Sequence, residues 1–79
     1  MRNLSERDRA ILAIEKRSWR FEGAKLQVIR ETLGLSPTRY YLVLNELLDD
    51  PAALSAEPIV IRRLQRQRQS RRRSVSSRA

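Results

Sequence analysis

The chain has 79 residues, with 17 Lys and Arg against nine Asp and Glu, a formal net charge of +8, and neither His nor Cys. A fold of this size buries only about 60% of its unfolded surface, so one small core is expected, with little room for a pocket of convergent groups. The missing residue types exclude His-based acid–base chemistry, a Cys nucleophile, disulfides and the usual zinc and iron–sulfur sites. No enzymatic activity, cofactor or metal is expected. No apolar run nears the ~20 residues of a membrane span, and the opening residues are charged with no apolar signal core. A cytoplasmic protein without membrane contact is therefore expected.

The elements read as helices in chain order, since period-2 alternation is absent and β-branched residues are few. Ser5, Glu6, Arg7 and Asp8 resemble a capping box, with acids in the first turn where the helix dipole favours them. From there Asp8, Ile11, Leu12, Glu15 and Trp19 recur at helical spacing, and Ile14 widens the stripe. Gly23 is the expected stop, so the first helix should reach Phe21 or Glu22. Trp19 and Phe21, at its end, read as core aromatics rather than base-stacking ones. A second helix should cover residues 24–33, with Leu26, Ile29 and Leu33 as its apolar stripe and Gly34 as its left-handed stop. Ser36 then caps a third helix and Pro37 takes its first position, where a missing N–H costs nothing. That helix carries Tyr40, Leu44, Leu47 and Leu48 to Asp49 and Asp50, and Pro51 ends it. Residues 51–56 allow one short helical turn. Pro58 opens a last helix in which Ile59, Val60, Ile61 and Leu64 are the final apolar anchors.

The charge is distributed unevenly along this series. Residues 1–61 hold nine Lys and Arg and all nine acids, whereas residues 62–79 hold eight Arg and no acid. The division implies a helical domain over residues 1–64 and an Arg-rich extension over residues 65–79. Residues 65–69 can stay helical on intrinsic propensity. Residues 70–79 have nothing to bury and are expected to be disordered. A one-sided basic segment is the footprint of a polyanion binder; the plainer alternative is a solvated tail with no partner.

Residues 26–45 place an amphipathic helix, a Gly34, Leu35, Ser36 turn and a second amphipathic helix in succession. That is a helix-turn-helix pattern, with Leu35 as an apolar plug and the N–H groups after Ser36 suited to a phosphate. A plain helical hairpin is the alternative. Ile29, Leu33, Tyr40 and Leu44 are spaced to pack the two helices together and onto the first. The second helix would enter the major groove by Ser36, Pro37, Thr38, Arg39 and Tyr41. Arg39 suits a guanine edge, Thr38 a thymine methyl or a phosphate, and Tyr41 a phosphate or sugar. Tyr40 shares the stripe of Leu44 and Leu47 and should face the core. In the extension, Arg62, Arg63, Arg66, Arg68, Arg71, Arg72 and Arg73 are the candidate phosphate contacts. Six phosphate contacts from the eight tail arginines would give a salt slope of about −5.

The chain resembles a family of small actinobacterial proteins of unknown function, some mycobacterial members of which are regarded as nucleoid-associated DNA-binding proteins. The resemblance lies in Ile14, Glu15, Trp19 and Gly23, Ala24, Lys25. It continues through Ser36, Pro37, Thr38, Arg39, Tyr40, Tyr41, then Leu44, Asn45, Leu47 and Asp50, Pro51, Ala52, Ala53, Leu54. Pro58, Val60, Arg63 and Leu64 with the Arg run complete it, over about residues 10–73. It implies DNA binding without fixing a target, and it implies no catalytic residue.

Together these features predict an all-α bundle containing a helix-turn-helix, with a basic C-terminal helix and disordered tail. The expected function is duplex DNA binding, as a nucleoid-associated or regulatory protein in the cytoplasm, with no small-molecule substrate. The alternatives are a module that docks on RNA polymerase or a sigma factor, and an RNA-binding protein. A homodimer through the last helix and the end of the first is a further expectation. Its alternative is a monomer that buries Val60, Ile61 and Leu64 in its own core.

Overall fold

A computed structural model describes the backbone of residues 3–78 and the side chains of residues 3–71. Five helices follow one another: α1 (Glu6–Lys16), α2 (Glu22–Leu33), α3 (Pro37–Leu48), α4 (Pro51–Ala56) and α5 (Pro58–Arg78). No strand occurs among the described residues.

The local signals explain most boundaries. Ser5 accepts the Asp8 backbone N–H at 3.0 Å and Asp8 accepts the Ser5 N–H at 3.3 Å, closing the capping box that starts α1. Burial raises the Asp8 carboxyl, but the Ser5 hydrogen bonds and the Arg7 guanidinium outweigh it and hold the group below its ordinary value. Gly34 ends α2 in the left-handed region at φ 66°, a conformation that costs a residue with a Cβ about 1 kcal/mol or more. Ser36 caps α3 by accepting the Arg39 N–H at 3.2 Å, and Asp50 caps α4 by accepting the Ala52 N–H at 2.9 Å. Pro37 and Pro51 each take a first helical turn.

Two boundaries differ from expectation. α1 stops at Lys16, and Arg17 is already extended. Trp19 and Phe21 therefore lie in the α1–α2 loop, and Gly23 sits inside the first turn of α2 rather than after α1. Trp19 still reaches the core, and its indole N–H donates to the Ile14 carbonyl at 2.8 Å, capping the helix it was expected to extend. Phe21 does not join the core; it is 66% exposed. The second difference is that α5 runs unbroken to Arg78 instead of giving way to a disordered tail at Ser70; Ala79 lies outside the described residues. Once a helix is nucleated, each further residue adds one hydrogen bond at little cost. Arg and Gln are good helix formers, and cations near a helix C-terminus complement its dipole.

The core is one cluster. Ile11, Leu12 and Ile14 from α1 meet Ile29 from α2, Tyr40, Val43, Leu44, Leu47 and Leu48 from α3, Ala53 from α4 and Ile61 from α5. Val60 is buried as well, whereas Ile59 is 82% exposed. The apolar opening of α5 thus closes the core of its own chain with two of its three residues. No described helix is long and apolar enough to cross a membrane.

Candidate nucleic-acid interface

At 100° per residue, the twelve positions of α3 divide into two faces. Tyr40, Val43, Leu44, Leu47 and Leu48 form the buried face. Pro37, Thr38, Arg39, Tyr41, Leu42, Asn45 and Glu46 are exposed. Thr38 and Leu42 lie along the middle of this outward face, with Arg39 on one flank and Tyr41 on the other. Ser36, Pro37, Thr38, Arg39 and Tyr41 all reach the surface, as their spacing implies. Arg39 and Tyr41 stand about 160° apart around the helix axis, so the two cannot read one base edge together.

The outward face is held in place by buried polar chemistry behind it. Glu15 of α1 is 5% exposed. Its Oε2 accepts the Tyr40 hydroxyl at 2.5 Å and pairs with Lys25 Nζ of α2 at 2.8 Å. One carboxylate thereby fastens three helices, and each buried polar group of the cluster has its partner. Burial, together with the hydrogen bond to Glu15, pushes the Tyr40 phenol far above its ordinary value, so it stays a neutral donor. Asp8 and Glu15 lie on the apolar stripe of α1 because each is a structural acid with internal partners.

Tyr41 is less available than its position suggests. Its hydroxyl donates to Glu22 Oε1 at 2.9 Å, tying the start of α2 to the flank of α3. Burial and that hydrogen bond raise its phenol too. Asn45 accepts from Arg68 Nη1 at 2.9 Å. Leu42, not among the residues expected at the groove, is 57% exposed in the centre of the outward face. The signal was present: Leu42 lies off the 40, 43, 44, 47 and 48 stripe and so cannot point inward.

The basic residues divide in the same way. The last carbonyls of α1 and α3 lack intrahelical partners, and α5 supplies a donor to one carbonyl of each. Arg63 Nη2 donates to the Glu15 carbonyl at 2.7 Å, and Gln65 Nε2 to the Leu48 carbonyl at 2.8 Å. Arg68 makes a forked pair with Asp49, at 2.9 and 3.2 Å, and this pairing raises its pKa further. Arg63 and Arg68, expected as phosphate contacts, are thus engaged with the protein itself. Arg62, Arg66 and Arg71 are exposed and make no ion pair among the described residues. The side chains of Arg72 and Arg73 lie outside the described residues. Arg71 lines a groove between α5 and α3 together with the acids Glu15 and Glu22, with Lys25, Tyr41, Asn45, Gln67 and Arg68, and with the apolar Leu44, Leu48 and Leu64. Among the described residues no three acids gather as a metal site would need.

The fold and this surface define a small all-α protein built on a helix–turn–helix unit and closed by a basic helix. Residues 3–76 match the model of the family described as "Protein of unknown function (DUF3263)", and the chain belongs to that family. No curated protein and no solved structure matches it.

Proposed function

We propose that the protein binds duplex DNA, with the outward face of α3 in the major groove and the unengaged arginines of α5 on the phosphate backbone. The observation that carries this reading is the groove between the two helices. Arg71, without an ion pair among the described residues, lines it together with Tyr41 and Asn45 of α3, so the helix bearing the whole net charge flanks the helix with the outward polar face. A duplex seated on α3 would bring phosphates to that flank, where Arg supplies affinity through counterion release.

Base reading would be sparse. Tyr41 and Asn45 are held by Glu22 and Arg68. Arg39, Thr38 and Leu42 remain, suited to a guanine edge, a phosphate and a thymine methyl respectively. Weak sequence preference with strong charge dependence fits a nucleoid-associated, architectural role in the cytoplasm better than a repressor of one operator. The resemblance to a family some of whose mycobacterial members are regarded as nucleoid-associated supports the same role. Fluorescence anisotropy with a random-sequence duplex, and with RNA of the same sequence, tests it. Six phosphate contacts from the eight tail arginines would give a slope near −5 in log K against log salt. A preference for RNA, or binding indifferent to salt, would contradict the proposal.

A further inference from the structure

The α1–α2 loop holds two cations that the fold does not use. Between Glu15 and Glu22 the sequence runs Lys16, Arg17, Ser18, Trp19, Arg20, Phe21, with no acid among them. Lys16 is paired with Glu57 at 3.6 Å. Arg17 and Arg20 are exposed and have no carboxylate partner among the described residues. Each is ordered instead by an aromatic ring. The Arg17 guanidinium lies 4.2 Å from the centre of the Trp19 ring, and that of Arg20 lies 5.8 Å from the centre of Phe21. Trp19 is a firm platform, because its indole N–H is bonded to the Ile14 carbonyl.

A stacked guanidinium keeps its in-plane N–H groups free, and these match the oxygens of a phosphate. Because the ring already restricts it, it loses less freedom on binding than an unsupported side chain. The place of the loop matters as much. Trp19 and Arg63 bond successive carbonyls at the end of α1, those of Ile14 and Glu15, so the loop abuts the start of α5. On its other side Glu22, next to Phe21, is bonded to Tyr41 on the flank of α3. The loop therefore sits between the two elements assigned to DNA.

We propose that this loop is a further phosphate-contacting element, in which Arg17 and Arg20, ordered over Trp19 and Phe21, grip the sugar–phosphate backbone of the duplex held by α3. The proposal rests on the reading of the protein as a DNA binder. It adds a contact from the neutral part of the chain, where net charge gives no hint of one. Phe21, largely exposed, lies against the apolar edge of a deoxyribose.

The test is the salt dependence of duplex binding by the full chain and by an R17Q/R20Q variant. Loss of two phosphate contacts makes the slope shallower by about 1.8, with the melting temperature unchanged because both side chains are exposed. An R17K variant keeps the charge but not the planar fork, so its slope stays near that of the parent while its affinity falls. The single tryptophan, Trp19, gives a second readout: its emission shifts when duplex is added to the parent chain. If the parent binds and R17Q/R20Q keeps the same slope and affinity, the loop proposal is overturned and the α3–α5 reading stands. If the variant only melts earlier and binds unchanged, the stacked pairs are structural and the proposal is again overturned. If the parent binds no duplex, both readings fall together.

Discussion

The neutral body and α5 use charge in opposite ways. In the body, a few buried or paired acids and bases start helices or join them. Glu15 draws in Lys25 and Tyr40, and Asp8 closes the box that starts α1. On α5 the arginines divide by direction. Arg63 and Arg68 turn to the ends of α1 and α3, while Arg62, Arg66 and Arg71 point to solvent. A basic helix is therefore not one electrostatic arm. Arg63 and Arg68 belong to the fold, while Arg62, Arg66 and Arg71 are the arginines to which the proposed contact with phosphate falls.

The largest expected effect tests the body side of this contrast. Glu15→Ala leaves a mostly buried Lys25 cation without its partner and the Tyr40 hydroxyl unbonded. Removing one member of such a pair costs about 3 kcal/mol. Urea unfolding should show that loss, and the melting temperature should fall with it.

Truncation sharpens the α5 side. Ending the chain after Gln69 keeps Gln65 and Arg68 on α3 and should leave stability nearly intact, while the salt slope shrinks by roughly 3.6 through loss of Arg71, Arg72, Arg73 and Arg78. Ending it after Leu64 also removes the Leu48 carbonyl cap and the Asp49 pair. That should cost a further 1–2 kcal/mol or so. Equal melting temperatures for the two truncations would mean that Gln65 and Arg68 do not anchor α5.

Smaller effects probe single positions. Gly34→Ala should cost about 1 kcal/mol from the left-handed backbone alone, since a Cβ there meets nothing within 4 Å. Asp8 has a folded-state pKa below its ordinary 3.8. Its contribution is therefore complete above the unfolded value and is lost as pH falls through the folded one. Stability measured from pH 6 down to pH 2 should decline below about pH 4, and Asp8→Asn should flatten part of that decline.

These experiments fall mostly on features that local chemistry announces. The turn from α2 to α3 was legible because Gly34, Ser36 and Pro37 each favour one backbone state at their own position. Asp50 and Pro51 did the same for α4. The end of α1 was not legible. Trp19 keeps helical spacing from Glu15, yet it reaches the core by folding back after the chain leaves the helix at Arg17. What ends α1 is an indole N–H and the Arg63 guanidinium, the latter 48 residues away, a contact no local pattern carries. Gly23 resembled a stop because glycine is common past helix ends, but nothing at that position requires a positive φ. The length of α5 was not legible for the converse reason: by sequence, residues 70–79 offer nothing to bury, yet helix propensity and the dipole suffice to continue the helix. In the candidate interface, the exposure of Thr38, Arg39 and Tyr41 was legible from the phase of α3. The hydrogen bonds that occupy Tyr41 and Asn45 depend on Glu22 and Arg68, which only the fold brings near.

Duplex DNA is proposed to be held by the arginines the fold leaves free. Two variants with equal charge loss test it most directly: R62Q/R66Q removes two outward arginines of α5, and R63Q/R68Q removes the two engaged with the body. Duplex affinity is measured across a salt series alongside each melting temperature. R62Q/R66Q should melt like the parent and bind with a slope shallower by about 1.8. R63Q/R68Q should melt earlier and keep nearly the parent slope. Identical slopes and identical melting temperatures for the two variants, or a parent chain that binds no duplex at all, would contradict it.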